Sequence, residues 1–406
     1  MKKLFTILMF FLISVALSAQ EPFRIIGYVP GWIDVETFAK GFDYSKVTHL
    51  NYAFQNPDAS GNLASGNNGL KLLVEKAHQN KVKVLVSMGG GSAAGDPVKA
   101  NYQSQITTPE KRAAFISKIL VYLEQYNLDG FDVDEEGPAI NQDYEPFVRQ
   151  LADSLKPKGL LLTAAVGWGG ESIPNTAFQY FDFINLMSYD LTGSWNPDKP
   201  GQHSPYWYAQ QMILDYKNRG VKKEQICLGL PFYGYGFYSQ TGDFPYNKIL
   251  QKYPDAWKSD QVGDTIFYNG VNTIRRKTEL ALAEASGVMI WELSTDGVGE
   301  KSLLNAIAFV VDSGQTTNQK KPVTSFQSVR IYPNPVQDRL IIENQKSDRK
   351  MVIQIYSEQG KLVKTAHFRR KQVSRMDIDV SGFARGTYIC KIADSGFSQS
   401  LKFVKN

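Results

Sequence analysis

Apolar positions along this chain gather into eight short runs: Arg24–Val29, Lys46–Phe54, Lys83–Met88, Leu128–Asp134, Leu160–Val166, Phe183–Tyr189, Gln225–Pro231 and Gly287–Trp291. The stretches between them are amphipathic. Helical periodicity falls over Leu70–His78, Glu110–Tyr126, Tyr144–Leu155, Tyr206–Tyr216 and Asn272–Ala285, and Gly299–Val311 closes the series. Strands alternating with helices over roughly 290 residues predict an α/β fold whose sheet closes on itself, a (β/α)8 (TIM) barrel over 21–312. An open parallel sheet is the alternative, made less attractive by the count of eight strands. The least helical gap, 234–270, is expected to be a long loop with a short helical patch around Tyr246–Tyr253. It follows the seventh strand, so it inserts on the face where loops after barrel strands form the working surface.

Both ends depart from this pattern. Lys2 and Lys3 precede an apolar run from Leu4 to Leu17, followed by Ser18 and Ala19, which is the pattern of a signal peptide over 1–20. A buried N-terminal helix is the competing interpretation. The run is too short and wrongly flanked to cross a bilayer, and no later stretch approaches that length, so no transmembrane segment is expected in the mature chain. At Asp312 the composition turns polar, and 313–325 is expected to be a linker. Beyond it come alternating runs at Arg339–Glu343, Met351–Tyr356, Lys361–Thr365, Ser374–Val380, Gly386–Ile392 and Ser398–Val404. Turn signals at Pro333-Asn-Pro335, Glu358-Gln-Gly360 and Asp394-Ser-Gly396 separate strands there, predicting a small all-β sandwich domain over 326–406.

Composition narrows the function classes. Of 406 residues 43% are apolar, enough for a large core. The net charge of +5 hides an asymmetry: residues 326–406 hold 15 Lys/Arg against 7 Asp/Glu, and 21–325 sum to about −5. A nucleic-acid partner would need the basic charge on the working domain, so none is expected. Cys227 and Cys390 lie on opposite sides of the linker in apolar contexts, as small buried hydrophobes rather than a disulfide or metal pair. Four scattered histidines draw no zinc cluster, and no metal or other cofactor is expected.

The densest chemistry lies in Asp129-Gly-Phe-Asp-Val-Asp-Glu-Glu136. Asp132, Asp134 and Glu136 alternate, so a strand continuing through Glu136 points all three carboxyls into the barrel mouth and turns Val133 and Glu135 to the helical layer. Converging carboxyls repel, so at least one proton is held at neutral pH. Glycosidic cleavage needs such a raised acid beside carboxylates that stay charged. Glu136, highest on the strand, is the candidate general acid. A solvated acidic loop and a calcium or magnesium site are the competing interpretations, although no conventional calcium loop is present. Ser87-Met-Gly-Gly-Gly-Ser92 lacks the Gly-Lys-Ser/Thr of a phosphate loop and is expected to be a tight turn leaving room for substrate.

The acidic run resembles the Asp-x-x-Asp-x-Asp-x-Glu signature of glycoside hydrolase family 18, the chitinase family. Ser87-Met-Gly-Gly90, Met187-Ser-Tyr189-Asp190 with Gly193-Ser-Trp195, and Gly287-Val-Met-Ile-Trp291 resemble its third, sixth and eighth strands, and Gly27-Tyr28 and Leu50-Asn-Tyr-Ala-Phe54 its first two. The resemblance spans 24–312 and implies retaining, substrate-assisted hydrolysis of chitin or chitooligosaccharides. It implies that Glu136 protonates the glycosidic oxygen and later activates water. Asp134 would orient the sugar's acetamido group, Asp132 would share a proton with Asp134, and Tyr189 would donate to the acetamido oxygen. Asp190, Trp291, Tyr28, Phe54, Met187, Trp32, Trp195 and Tyr233 are the candidate sugar-binding residues, with Tyr235 a further platform. Asp129, Ser87, Gly89 and Gly90 are expected to support the aspartates from behind.

Two positions depart from the chitinase pattern. An acid at Glu135 looks more like the endo-β-N-acetylglucosaminidases that cut the chitobiose core of N-glycans, and Gly137, which removes an aromatic wall, would widen the cleft for a branched glycan. A catalytically silent lectin is the other rival, and against it stands Glu136. In the tail, Val329-Arg-Ile-Tyr-Pro-Asn-Pro335, Val380–Ile392 and Ser400-Leu-Lys-Phe-Val-Lys405 resemble the C-terminal sorting domain of type IX secretion cargo. That implies the type IX machinery as a partner, and a secreted or outer-surface location in a Bacteroidetes-like bacterium. A carbohydrate-binding sandwich is the alternative for the tail.

Overall fold

The computed structural model describes residues 22–64, 68–91, 97–167, 169–263, 265–316, 329–344, 351–357, 361–368, 375–393 and 398–406. The expected signal peptide and all of the expected linker after Thr316 lie outside them. In chain order the first half runs β1 (Arg24–Pro30), α1 (Val35–Gly41), β2 (His49–Ala53), α2 (Asn68–Gln79), β3 (Lys83–Gly89), α3 (Pro97–Ile106), α4 (Pro109–Tyr126), β4 (Gly130–Asp134), α5 (Tyr144–Leu155) and β5 (Leu161–Val166). It continues with β6 (Phe183–Leu186), α6 (Tyr206–Asn218), β7 (Ile226–Pro231), β8 (Tyr233–Gly236), β9 (Gly242–Pro245), α7 (Tyr246–Lys252), β10 (Gln261–Val262), β11 (Ile266–Phe267), α8 (Val271–Glu284), β12 (Gly287–Trp291) and α9 (Leu303–Thr316).

Eight of these strands pair in parallel and close in the order β1-β12-β7-β6-β5-β4-β3-β2, which excludes the open sheet. Parallel strands are covered on both sides, and each of the eight is buried over nearly its whole length. Local chemistry fixes the helix ends. The Thr108 hydroxyl accepts from Lys111 N at 3.3 Å with Pro109 in the first turn of α4, and Asn127, left-handed at φ 52°, ends it. A large apolar cluster fills the layer between strands and helices. A smaller one, including Ile26, Tyr28, Ala53, Ala165, Phe183 and Met289, fills the barrel interior. Cys227 is buried in this inner cluster and Cys390 in a separate one in the tail.

Several elements differ from expectation. The segment 234–270 is not a loop but a four-stranded antiparallel sheet, β10-β11-β8-β9, carrying α7. Strands of two to four residues are too short to show alternation in the sequence. Helix α3 was not anticipated, and α9 runs through Thr316, past the expected boundary at Asp312. The fourth strand stops at Asp134 and the sixth at Leu186, so Glu136, Tyr189 and Asp190 stand on the turns that follow.

The tail folds as β13 (Val329–Tyr332), β14 (Arg339–Asn344), β15 (Met351–Ser357), β16 (Leu362–Phe368), β17 (Arg375–Asp379), β18 (Gly386–Ala393) and β19 (Ser398–Lys405). Two antiparallel sheets, β13-β14-β17 and β16-β15-β18-β19, enclose Leu340, Ile342, Ile353, Ile355, Cys390 and Phe403. The tail is therefore a separate all-β domain. Tyr388 and Phe403 stack inside it, as aromatics of a core rather than an exposed sugar platform.

Candidate active site

Barrel register builds the site. Asp132 on β4 lies between Ser87 on β3 and Thr163 on β5, so three polar side chains point inward at one level. Asp132 is wholly buried, and its Oδ2 accepts from the Tyr28 hydroxyl at 2.6 Å and Ser87 Oγ at 2.8 Å. Its Oδ1 accepts from Thr163 Oγ1 at 2.5 Å, with Asn185 Nδ2 at 3.5 Å. Burial raises the Asp132 pKa, and the Thr163, Tyr28 and Ser87 hydroxyls oppose it.

One level higher, Asp134 is buried with its Oδ1 unpartnered among the described residues. Burial, then the charges of Glu136, Asp132 and Glu135, push its carboxyl well above the usual range, while Lys99 on α3 pulls it down. Glu136 leaves β4 in extended backbone (φ −126°, ψ 150°), so alternation persists past the last paired residue. Its Oε1 lies 3.4 Å from where a side chain on Gly91 would begin. Burial raises the Glu136 pKa to about 7, with Lys99 lowering and Asp190 raising it.

Gly89 and Gly90 are shaped by close approach. At φ 118° and 93° they occupy conformations L side chains avoid, and Gly90 N donates to the Asp134 carbonyl at 2.7 Å. A Cβ on Gly89 would sit 2.0 Å from that carbonyl oxygen, and one on Gly90 2.6 Å from the Phe54 ring. The space these glycines leave is thus taken by β4 and Phe54 rather than by substrate. Asn56 locks the turn, accepting from Gly89 N at 2.7 Å and donating to Gly89 O at 3.0 Å.

The remaining candidates sort by depth. Trp291 stacks on Phe54 (5.5 Å, 19°) and meets Tyr28 at 5.4 Å and Trp32 at 6.3 Å, forming an aromatic floor whose outer edge, Trp32, is 67% exposed. Met187 is half-buried beside Gly167. The Tyr189 ring is buried in the inner cluster, edge-on to Tyr233 at 6.0 Å, and its hydroxyl donates to the soft acceptor Met289 Sδ at 3.7 Å. Asp190 is exposed and accepts from Tyr233 and from His203 Nδ1, the latter at 3.3 Å. Exposed Trp195 stands edge-on to Tyr235 at 4.9 Å on the far rim.

Two expectations are corrected. Tyr28 is 1% exposed with its hydroxyl committed to Asp132, so it supports the carboxyls from beneath and is not a sugar contact. Asp129 does not reach the aspartates: it sits at the other end of β4, where its Oδ2 accepts from Val84 N at 2.7 Å and meets His78 Nε2 at 2.8 Å. It ties α2 and β3 to the bottom of the barrel. Of the two departures, Glu135 is buried on the outer face of the wall, where its charge acts on Tyr102 and Tyr144 and burial raises its pKa to about 8 against the pull of Lys99. Gly137 (φ 55°) lies against the backbone of Gly169, whose Cβ would fall 2.6 Å from the Gly137 Cα, so the glycine is occupied by a neighbouring turn.

Residues not anticipated are Thr163, Asn185, Asn56, Lys99 and His203. For the first two a signal existed, a polar residue inside an otherwise apolar buried strand, which must find a partner there. The others come from turns and helices with no such context.

A closed barrel with stacked carboxyls at its mouth, one holding a proton beside an aromatic floor, defines a glycoside hydrolase site. Residues 24–296 match the family described as glycosyl hydrolases family 18, and 330–406 match the secretion system C-terminal sorting domain. The chain thus belongs to glycosyl hydrolases family 18, with a sorting domain at its C-terminal side. Among solved structures it is similar to a chitinase from the chitin utilization locus of Flavobacterium johnsoniae: 35% identity, TM-score 0.67, 72% of this chain and 95% of that one. A chitinase from Bacteroides thetaiotaomicron gives 27% identity and TM-score 0.63 over 75% of this chain and 100% of that one. A chitinase-like effector of Moniliophthora roreri is 31% identical over 52% of this chain, and the match spans 58% of the effector's own length. Among the described residues no helix is long and apolar enough to cross a membrane.

Proposed function

We propose that this protein is a secreted or surface-held chitinase that cleaves β-1,4-linked N-acetylglucosamine polymers with retention. The observation that carries the proposal is the Asp134–Glu136 pair, in which burial and mutual repulsion hold at least one proton near neutral pH. Glu136 gives its proton to the leaving oxygen as the glycosidic bond breaks, and the substrate's own acetamido oxygen attacks the anomeric carbon. Asp134, protonated or bonded to the acetamido N–H, holds that group in line. Its Oδ1, without a protein partner among the described residues, is the atom left for this contact. Asp132 takes up negative charge beneath it, supported by Tyr28, Ser87 and Thr163. The Tyr189 hydroxyl donates to the acetamido oxygen. Glu136 then takes a proton from the water that opens the cyclic intermediate. Trp291 presents an apolar face to the pyranose in this subsite, and Asp190 contacts the same sugar.

The relatives in Flavobacterium and Bacteroides are named chitinases, which supports chitin as the substrate class. Glu135 turned outward and Gly137 packed on Gly169 give no support to a cleft widened for branched N-glycans. The sorting domain supports export through a type IX secretion system in a Bacteroidetes-type cell. Product analysis on chitooligosaccharides beside a high-mannose glycoprotein tests the assignment. Chitin products with β configuration at the new end are expected; release of the glycan alone would overturn it, and binding without cleavage would make the protein a lectin.

A further inference from the structure

The turn that carries Tyr189 and Asp190 lies beyond the end of β6, and a second segment, His203–Ser204, holds it. Leu191 N donates to the His203 carbonyl at 3.0 Å, and Ser204 Oγ donates to the Ser188 carbonyl at 2.7 Å. From behind, Nζ of the buried Lys277 of α8, whose pKa burial lowers to about 7, donates to Ser204 O, Ser204 Oγ and Asn269 Oδ1 at 2.7, 2.6 and 2.7 Å. Within this clamp Asp190 sits at φ 60°, a left-handed conformation that aspartate tolerates better than most residues other than glycine.

At the centre is His203, with no exposure, its ring 5.0 Å from both Tyr233 and Tyr235. Nδ1 lies 3.3 Å from Asp190 Oδ1, and Nε2 has no partner among the described residues. A carboxylate oxygen only accepts, so Nδ1 carries the hydrogen of this contact. We propose that His203 is a positioning residue for the reaction: it fixes the Asp190 carboxylate at the barrel mouth, where Asp190 faces both Glu136 and the sugar. The proposal rests on the reading of this mouth as the sugar site.

The groups around the pair define what moves when it is broken. His203 faces Asp190, Tyr233, Tyr235 and Lys277, and burial lowers its pKa against the opposing pull of Asp190. Asp190 in turn faces Glu136, Tyr189 and Tyr208 as well as the two tyrosines. Its negative charge raises the Glu136 pKa. Release of Asp190 toward solvent therefore lowers the pKa of the proton donor and loosens a contact to the sugar.

A double-mutant cycle tests this, with His203→Phe (His203→Leu as a smaller second variant), His203→Gln, and each combined with Asp190→Asn. His203→Phe should lower kcat/KM on chitotetraose about tenfold, raise KM, and move the basic limb of the pH profile to lower pH. His203→Gln, which keeps an N–H donor, should restore most of this, and in the Asp190→Asn background neither variant should matter further. Equal losses in both backgrounds with an unmoved limb would overturn the proposal in favour of packing alone. Nitrogen NMR of the wild-type imidazole adds a reading that needs no variant: a neutral ring protonated at Nδ1 is expected, and one protonated at Nε2 overturns the proposal. Wild type that fails to cleave would overturn the function but not the positioning, because the same cycle read in calorimetric affinity for chitotetraose, with the imidazole spectrum, decides the latter.

Discussion

Residues 132–136 carry four carboxyls, three directed to the barrel mouth and one to the helical layer, and the two sides accommodate burial by different means. On the inner side Asp132 is surrounded by neutral donors, while Asp134 and Glu136 have no ion pair among the described residues and their pKa values are raised by burial. On the outer side Glu135 lies among Tyr102, Tyr144 and the cation of α3. Lys99 stands between the two sides: its Nζ donates to the Glu136 carbonyl at 3.1 Å, and its charge draws down the pKa of all three upper carboxyls. Burial with incomplete pairing is costly, so it is informative where it persists. Inside, it leaves an acid and an oriented carboxyl ready for a substrate that supplies the missing partners. Outside, it raises the pKa of a carboxyl packed against the helical layer.

That contrast breaks most sharply at Glu136. Glu136→Gln removes the proton donor and should lower kcat by roughly 10²–10⁴-fold, measured on a labelled chitooligosaccharide, while binding persists. Next comes pH. Because the donor must be protonated and burial holds Glu136 up to about 7, kcat/KM should fall above about pH 7, roughly tenfold per unit; a basic limb near 4.5 would contradict the inner environment described here.

The lower end of the same strand should behave oppositely. Asp129→Ala strips the acceptor from Val84 N and His78 and should cost about 1–3 kcal/mol of stability in urea unfolding, with kcat unchanged at temperatures where the variant is folded.

The smallest effect belongs to the outer face. The Glu135 pKa is raised in the fold, so the folded state holds its proton where the unfolded chain has lost it, and stability falls as pH rises from about 4.5 to about 8. Glu135→Gln should leave thermal stability unchanged at pH 4 and raise the melting temperature by a few degrees at pH 9, with activity altered no more than a few-fold. A large loss of activity would place Glu135 in the chemistry instead.

Much of this was legible in the chain. Short apolar runs alternating with helical periodicity specify a parallel sheet, because only strands covered on both sides are apolar throughout. The i, i+2, i+4 spacing of Asp132, Asp134 and Glu136 puts three carboxyls on one face by strand geometry alone. Period two tells which face a residue takes but not its depth, and that is why Tyr28, one level too low, read as a sugar contact, and Asp129, at the far end of β4, as a support for the aspartates.

Tertiary structure decided the rest. Whether the sheet closes depends on β1 meeting β12 across a separation of 263 positions, from Arg24 to Gly287, and no local pattern encodes that meeting. Closure brings Tyr28, Ser87, Thr163 and Asn185 from four strands around one aspartate, and a segment 13 residues beyond Asp190 back beneath it through His203. The sequence by itself determined which groups carry the chemistry, since residue type and alternation are local. Their protonation was set only by folding, since a carboxyl's pKa depends on desolvation and on charges that arrive from elsewhere in the chain.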